Sequence, residues 1–128
     1  MEKKVNSYKD LIAWQKSIAL VTAVYSLTKN FPAEEKFGIV SQLNRAVVSV
    51  PCNIAEGWGR ESTKNYLQFL RTSRASLMET ETLILISKNL NYLSEEEFVT
   101  INKDIEESGK IIQGLIKSIK HKISLTTV

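Results

Sequence analysis

His121 is the only histidine in the chain, and it lies among Lys117, Lys120 and Lys122 with no cysteine or carboxylate nearby. Neither a His–Cys metal cluster nor a Ser–His–Asp arrangement can be assembled locally around it. Glu79 and Glu81 suggest carboxylate metal ligands, but the paired Glu-x-x-His motifs of di-iron bundles are absent. Structural hydrogen bonding is the role expected of Glu79. The stretch Gly57-Trp58-Gly59-Arg60-Glu61-Ser62-Thr63-Lys64 resembles a phosphate loop only superficially, because the Gly-x-x-x-x-Gly-Lys-Ser/Thr spacing is missing and no strand precedes it. Gly57 is expected instead to end one helix and Ser62 to cap the next. The chain therefore reads as a non-enzyme with no metal and no cofactor.

The remaining chemistry is positive charge. Lys103, Lys110 and Lys117 recur every seven residues, and Lys64 and Arg71 repeat the interval with Arg60 and Arg74 close by. On a helix this spacing sets charges on one line about 10 Å apart, at a rise of ~1.5 Å per residue. Such a line can follow a phosphate backbone, releasing counterions as phosphates are neutralised. From Ser108 to Val128 there are four lysines (Lys110, Lys117, Lys120, Lys122) and no acid, so the C-terminal end is locally strongly positive. Lys64, Arg71, Arg74, Lys103, Lys110, Lys117 and Lys120 are the expected phosphate contacts for RNA or DNA. The competing view is that outward heptad positions simply carry lysine for solubility, which leaves a protein-interaction scaffold. A ligand-binding bundle would need polar groups converging on a cavity, and only Asn53, Glu56 and Glu79 are candidates for it.

Composition sets the frame for these residues. A chain of 128 residues with 43% apolar content is expected to bury one core as a single domain. The net charge is only +3, although the pI is basic at about 9.0. Cys52 is the only cysteine, so no intrachain disulfide can form, as suits a reducing compartment. The start, Met1 to Asn6, is charged and lacks the apolar segment of a secretory signal. The longest uncharged run, Ser17 to Thr28, is twelve residues, short of the ~18 needed to span a bilayer. A cytoplasmic protein without membrane contact is expected.

Turn chemistry at Asn30-Phe31-Pro32, Gly57-Trp58-Gly59 and Asn91-Tyr92-Leu93-Ser94 divides the chain into four helical segments, about 8–29, 33–56, 63–90 and 95–122. The first places Leu11, Trp14, Ile18, Val21 and Tyr25 on one seam, and Ser7 with Asp10 resembles a capping box. The second repeats the pattern with Val40, Leu43, Val47, Val50 and Ile54. The third starts after Ser62 and stops at Asn91, which tolerates a left-handed conformation. The fourth opens with Ser94-Glu95-Glu96-Glu97 and keeps a heptad seam through Phe98, Ile101, Ile105, Ser108, Ile112, Leu115 and Ile119. Short connections favour an all-α, antiparallel up-down-up-down four-helix bundle.

The second helix is unusual. Ala46 to Ala55 carries no charge, and Pro51 falls inside it, removing a hydrogen bond and bending the helix. Arg45, Ser49, Cys52, Glu56 and Arg60 share the side opposite the Val47–Ile54 seam. A helix this apolar around its circumference points to burial on a second side, hence to a subunit interface. Asn53 and Glu56 are expected to stabilise the fold or its assembly.

The string Ser41-Gln-Leu-Asn-Arg-Ala-Val-Val-Ser-Val-Pro-Cys-Asn-Ile-Ala-Glu-Gly57, followed by Arg60, resembles the signature of the bacterial proteins encoded by intervening sequences within large-subunit ribosomal RNA genes. The likeness extends from Tyr8-Lys-Asp-Leu11 with Trp14-Gln-Lys16, through Phe31-Pro32, Glu35 and Phe37-Gly38, to Phe69-Leu70 and Ser76-Leu77 with Glu79 and Glu81. Ala75 and Thr80 depart from the glycine and leucine usual in that family. The resemblance implies a homopentameric ring of four-helix bundles without established enzymatic activity. It also implies kinship with the accessory proteins of diversity-generating retroelements, which are basic pentamers that bind nucleic acid. A reverse transcriptase or another protein then becomes a candidate partner.

Overall fold

The computed structural model describes residues 4–126; Met1–Lys3 of the charged start and Thr127–Val128 of the basic end lie outside the described residues. Four helices follow in order: α1 (Ile12–Thr28), α2 (Ile39–Trp58), α3 (Thr63–Asn89) and α4 (Glu95–Thr126). Among the described residues there is no strand. Sequential helices pack on one another and α1 closes against α4. Their directions alternate: Ser49 meets Ser76 and Val50 meets Ser73, while Arg74 meets Gln113 and Lys88 meets Glu95. The result is the antiparallel four-helix bundle that periodicity implied.

The caps form where side-chain chemistry places them. Ser7 and Asp10 complete a capping box, but around a 3-10 turn, Tyr8–Asp10, with α1 beginning only after Leu11. Ser94 and Glu97 exchange backbone-to-side-chain bonds of 3.0 and 2.9 Å at the start of α4. Ser62 accepts from the Asn65 N–H at 3.3 Å. Asn91 adopts φ 63°, and the Tyr92 N–H reaches back to the Ser87 carbonyl at 2.9 Å, closing the α3 C-terminus. The second segment starts later than expected. Residues Ala33–Glu35 form a 3-10 turn, Gly38 is non-helical at ψ −117°, and α2 proper begins at Ile39. α4 continues to Thr126, four residues beyond the expected stop.

The core is lined by Leu43, Val47, Val50 and Ile54 from α2, Leu70, Leu77 and Ile84 from α3, and Ile105, Ile112 and Ile116 from α4. α1 departs from its expected seam. Ile18 and Tyr25 are 39% and 41% exposed, whereas Ala13, Ser17, Leu20, Val24 and Thr28 are buried. α1 is apolar nearly all round, so periodicity alone selects no face. Packing selects the smaller residues, and the Ser17 hydroxyl is satisfied by donating to the Ala13 carbonyl at 2.8 Å.

Gly57 does not end α2, which continues through Trp58. It is buried where α2 crosses α3, and a Cβ there would stand 2.6 Å from Phe69 Cβ. Pro51 is buried mid-helix and α2 stays helical on both sides of it. Beside it the Ser73 hydroxyl of α3 donates to the Val50 carbonyl at 2.8 Å.

Candidate nucleic-acid interface

α3 and α4 are antiparallel, so the N-terminal half of α3 lies beside the C-terminal half of α4. This register sets the cations of both helices along the same half of the pair, from Arg74 and Lys110 near the middle to Lys64 and Lys120 toward the end. Lys64, Arg71, Lys110, Lys117 and Lys120 are exposed, and none of them forms an ion pair among the described residues. Arg74 is half-buried and its guanidinium donates to Gln113 Oε1, bridging α3 to α4. Gln113 borders a groove shared with Arg74, Leu77, Met78 and Gly109. It also borders a shallow depression on α4 lined by Lys110, Gly114 and Lys117. Arg74, Lys110 and Lys117 are thus brought to one surface.

Lys103 is not part of that cluster. Glu106 borders both concavities and interrupts the line between Lys103 and Lys110. The adjacent Glu107 pairs with Lys16 of α1 at 3.1 Å. The seven-residue stripe read from sequence is therefore continuous only from Lys110 onward. Among the described residues no group of histidine, cysteine and carboxylates is placed to hold a metal ion. What the surface can do chemically is neutralise an anionic polymer.

The polar set on α2 divides in two. Asn53 Nδ2 donates to both the carbonyl and the hydroxyl oxygen of Ser49 at 2.8 Å, and the Ser49 and Ser76 hydroxyls share a bond of 2.8 Å. These atoms tie α2 to α3. Arg60 lies over the Phe69 ring at 4.7 Å from its centroid, a cation–π contact at the same crossing. Arg45, Glu56 and Glu79 are exposed, and their side chains make no hydrogen bond or ion pair among the described residues. The structural hydrogen bond expected of Glu79 is absent there.

Several residues of these surfaces escaped the sequence reading. Gln113 and Ser76 are unremarkable polar positions until α3 and α4, or α2 and α3, are set side by side. Gly114 did carry a signal, an isolated glycine in a strongly helical segment. Tyr66 carried none: its hydroxyl is buried without a hydrogen-bond partner among the described residues, and burial pushes its pKa up to about 12. At the other end of the bundle the Tyr92 hydroxyl donates to Glu35 Oε2 at 2.7 Å, which raises its pKa and ties the α1–α2 connection to the α3–α4 turn.

Residues 9–114 match the family described as 23S rRNA-intervening sequence protein. The match covers most of the chain, and the chain belongs to that family. A solved structure similar to it is a protein of unknown function from the S23 ribosomal protein family of Bacteroides thetaiotaomicron VPI-5482. The two share 25% identity and a TM-score of 0.77 over 83% of this chain and 99% of that one. No curated protein matches.

Proposed function

We propose that the chain is a non-enzymatic, oligomeric module that binds nucleic acid through its sugar–phosphate backbone with little base specificity. The observation that supports this is that Arg74 of α3 and Lys110 and Lys117 of α4 border adjoining concavities that meet at Gln113, with Lys64, Arg71 and Lys120 exposed on the same half of the two helices. No acidic partner neutralises the exposed members of this set among the described residues. Charges left unpaired on adjacent helices are available to phosphates, and their release of counterions would dominate the affinity. No aromatic side chain is interleaved on the basic lines to stack bases, so readout of base identity is not expected. The 23S rRNA in the family's name makes RNA the first probe to use, with DNA beside it.

Assembly multiplies the effect. The outer face of α2 holds Arg45 and Glu56 without side-chain partners among the described residues, and Phe37 in the α1–α2 connection is 90% exposed. We assign this region to contacts between copies in a closed ring, with five subunits expected from the family likeness. A strand engaging several copies gains avidity of about 100-fold or more without new contact types.

The test is titration of mixed-sequence RNA and DNA at several salt concentrations, with scattering mass measured on the same samples. Salt-sensitive binding by an oligomer supports the proposal. An oligomer that binds neither polymer at low salt supports the second reading, a protein-interaction scaffold, which the same exposed Phe37 and unpartnered Arg45, Glu56 and Glu79 favour.

A further inference from the structure

The basic surface contains a residue that intrachain packing does not explain. Gly114 lies midway along α4, is exposed, and has no other part of the fold within 4 Å of where its Cβ would be. Glycine at such a position weakens a helix by ~0.5–1 kcal/mol relative to alanine. Gly38 and Gly57 have a local reason, since a Cβ at either would meet an atom at 2.6 Å. Gly114 has none within the subunit.

Its surroundings supply one. Lys110 precedes it by four residues and Lys117 follows by three, so both flank it on the helix surface. The three share the open depression with Gly109, with Gln113, whose Oε1 already holds Arg74 in place from α3, and with Glu106, whose carboxylate bounds the N-terminal edge beyond Lys110. With no side chain at position 114, the floor between the two lysines is bare helix backbone on the side of Gly114, with Gln113 bordering it on the other.

Resting on the nucleic-acid reading above, we infer that Gly114 is the seat of a phosphodiester backbone. The strand crosses α4 in contact with the helix surface while Lys110 and Lys117 close on its phosphates from either side. The two lysines are set about 10 Å apart along the axis, a gap their flexible stems span from both flanks. A side chain at 114 would hold the strand off the helix and leave each ammonium reaching through solvent, where screening weakens it. The specificity so produced is for polyanion shape and not for bases.

The test compares wild type with Gly114→Leu and Gly114→Ala, using mixed-sequence duplex DNA, duplex RNA and inorganic polyphosphate at low salt, with melting temperature and mass as controls. Gly114→Leu should fold and assemble like wild type yet bind both duplexes at least about tenfold more weakly, the equivalent of one lost charge-assisted contact. Polyphosphate, thinner than a duplex, should lose less. Three results would overturn the inference: Gly114→Leu binding within twofold of wild type; losses equal across all three polyanions; or a fall in oligomer mass, which would place Gly114 at a subunit contact. Absence of binding by wild type itself would instead remove the nucleic-acid reading, which separates the two failures.

Discussion

Substituting Gly57 with alanine puts the close crossing of α2 and α3 to a direct test. The new Cβ would lie 2.6 Å from Phe69 Cβ, 3.0 Å from Tyr66 Cδ1 and 3.3 Å from the Tyr66 carbonyl oxygen. Phe69 Cβ is fixed to the α3 backbone, so no rotation relieves the clash and the helices must separate. Overpacking costs about 1–3 kcal/mol, and an immovable neighbour places this site in the upper part of that range. Alanine recovers up to about 1 kcal/mol of helix propensity. The net loss is about 1–2 kcal/mol, or roughly 4–8 °C in melting temperature for a domain of this size. Gly114→Ala supplies the control: it gains the same propensity with nothing within 4 Å to oppose it, and should melt a few degrees higher. Thermal unfolding followed by circular dichroism reads both. Gly57→Ala melting at or above wild type would refute the crossing geometry.

Other expectations follow from single atoms. Tyr66→Phe removes a buried hydroxyl that has no partner, so the variant should be at least as stable as wild type at neutral pH. The folded pKa of Tyr66 is raised from 10.0 to about 12, so its contribution is intact below pH 10 and lost as pH rises through about 12. Wild type should therefore lose melting temperature relative to Tyr66→Phe across that window, and parallel curves would contradict the burial. Asn53→Leu removes both bonds to Ser49, while Ser49 keeps Ser76. The expected loss is about 1 kcal/mol, at the low end for broken hydrogen bonds; an unchanged melting point and unchanged mass would refute the role.

The element types were legible because each helix carried its own start and stop chemistry. Ser94 with Glu97 and the left-handed Asn91 behave as their side chains dictate. The seams of α2 and α4 were also legible, because exposed Gln42, Arg45 and Glu56 stand opposite the buried side of α2, which makes it less apolar all round than its uncharged stretch suggested, although Ile116 was missed and Val40 and Leu115 are only half-buried. α1 was not, because apolar side chains surround it and its buried face is chosen by the fit of Ser17 and Thr28 against neighbouring helices. Gly57 misled for a related reason: a helix stop and a close helix crossing both call for glycine, and only the position of Phe69 separates them. At the basic surface the lysines themselves were visible, and so was the break at Glu106, three residues after Lys103 and four before Lys110 on one helix, but the bridge from Arg74 to Gln113 depends on how α3 and α4 are set side by side.

If clustered lysines of α4 carry nucleic-acid binding, the slope of affinity against salt must report them. Each phosphate contact contributes about −0.9 to the slope of log affinity against log salt on duplex DNA. Lys110, Lys117 and Lys120 changed together to glutamate should leave the helical spectrum intact, because all three are exposed. Wild type should show steep salt dependence, and the triple variant should show collapsed binding with a flattened residual slope. Wild-type affinity and slope retained by the triple variant would contradict it.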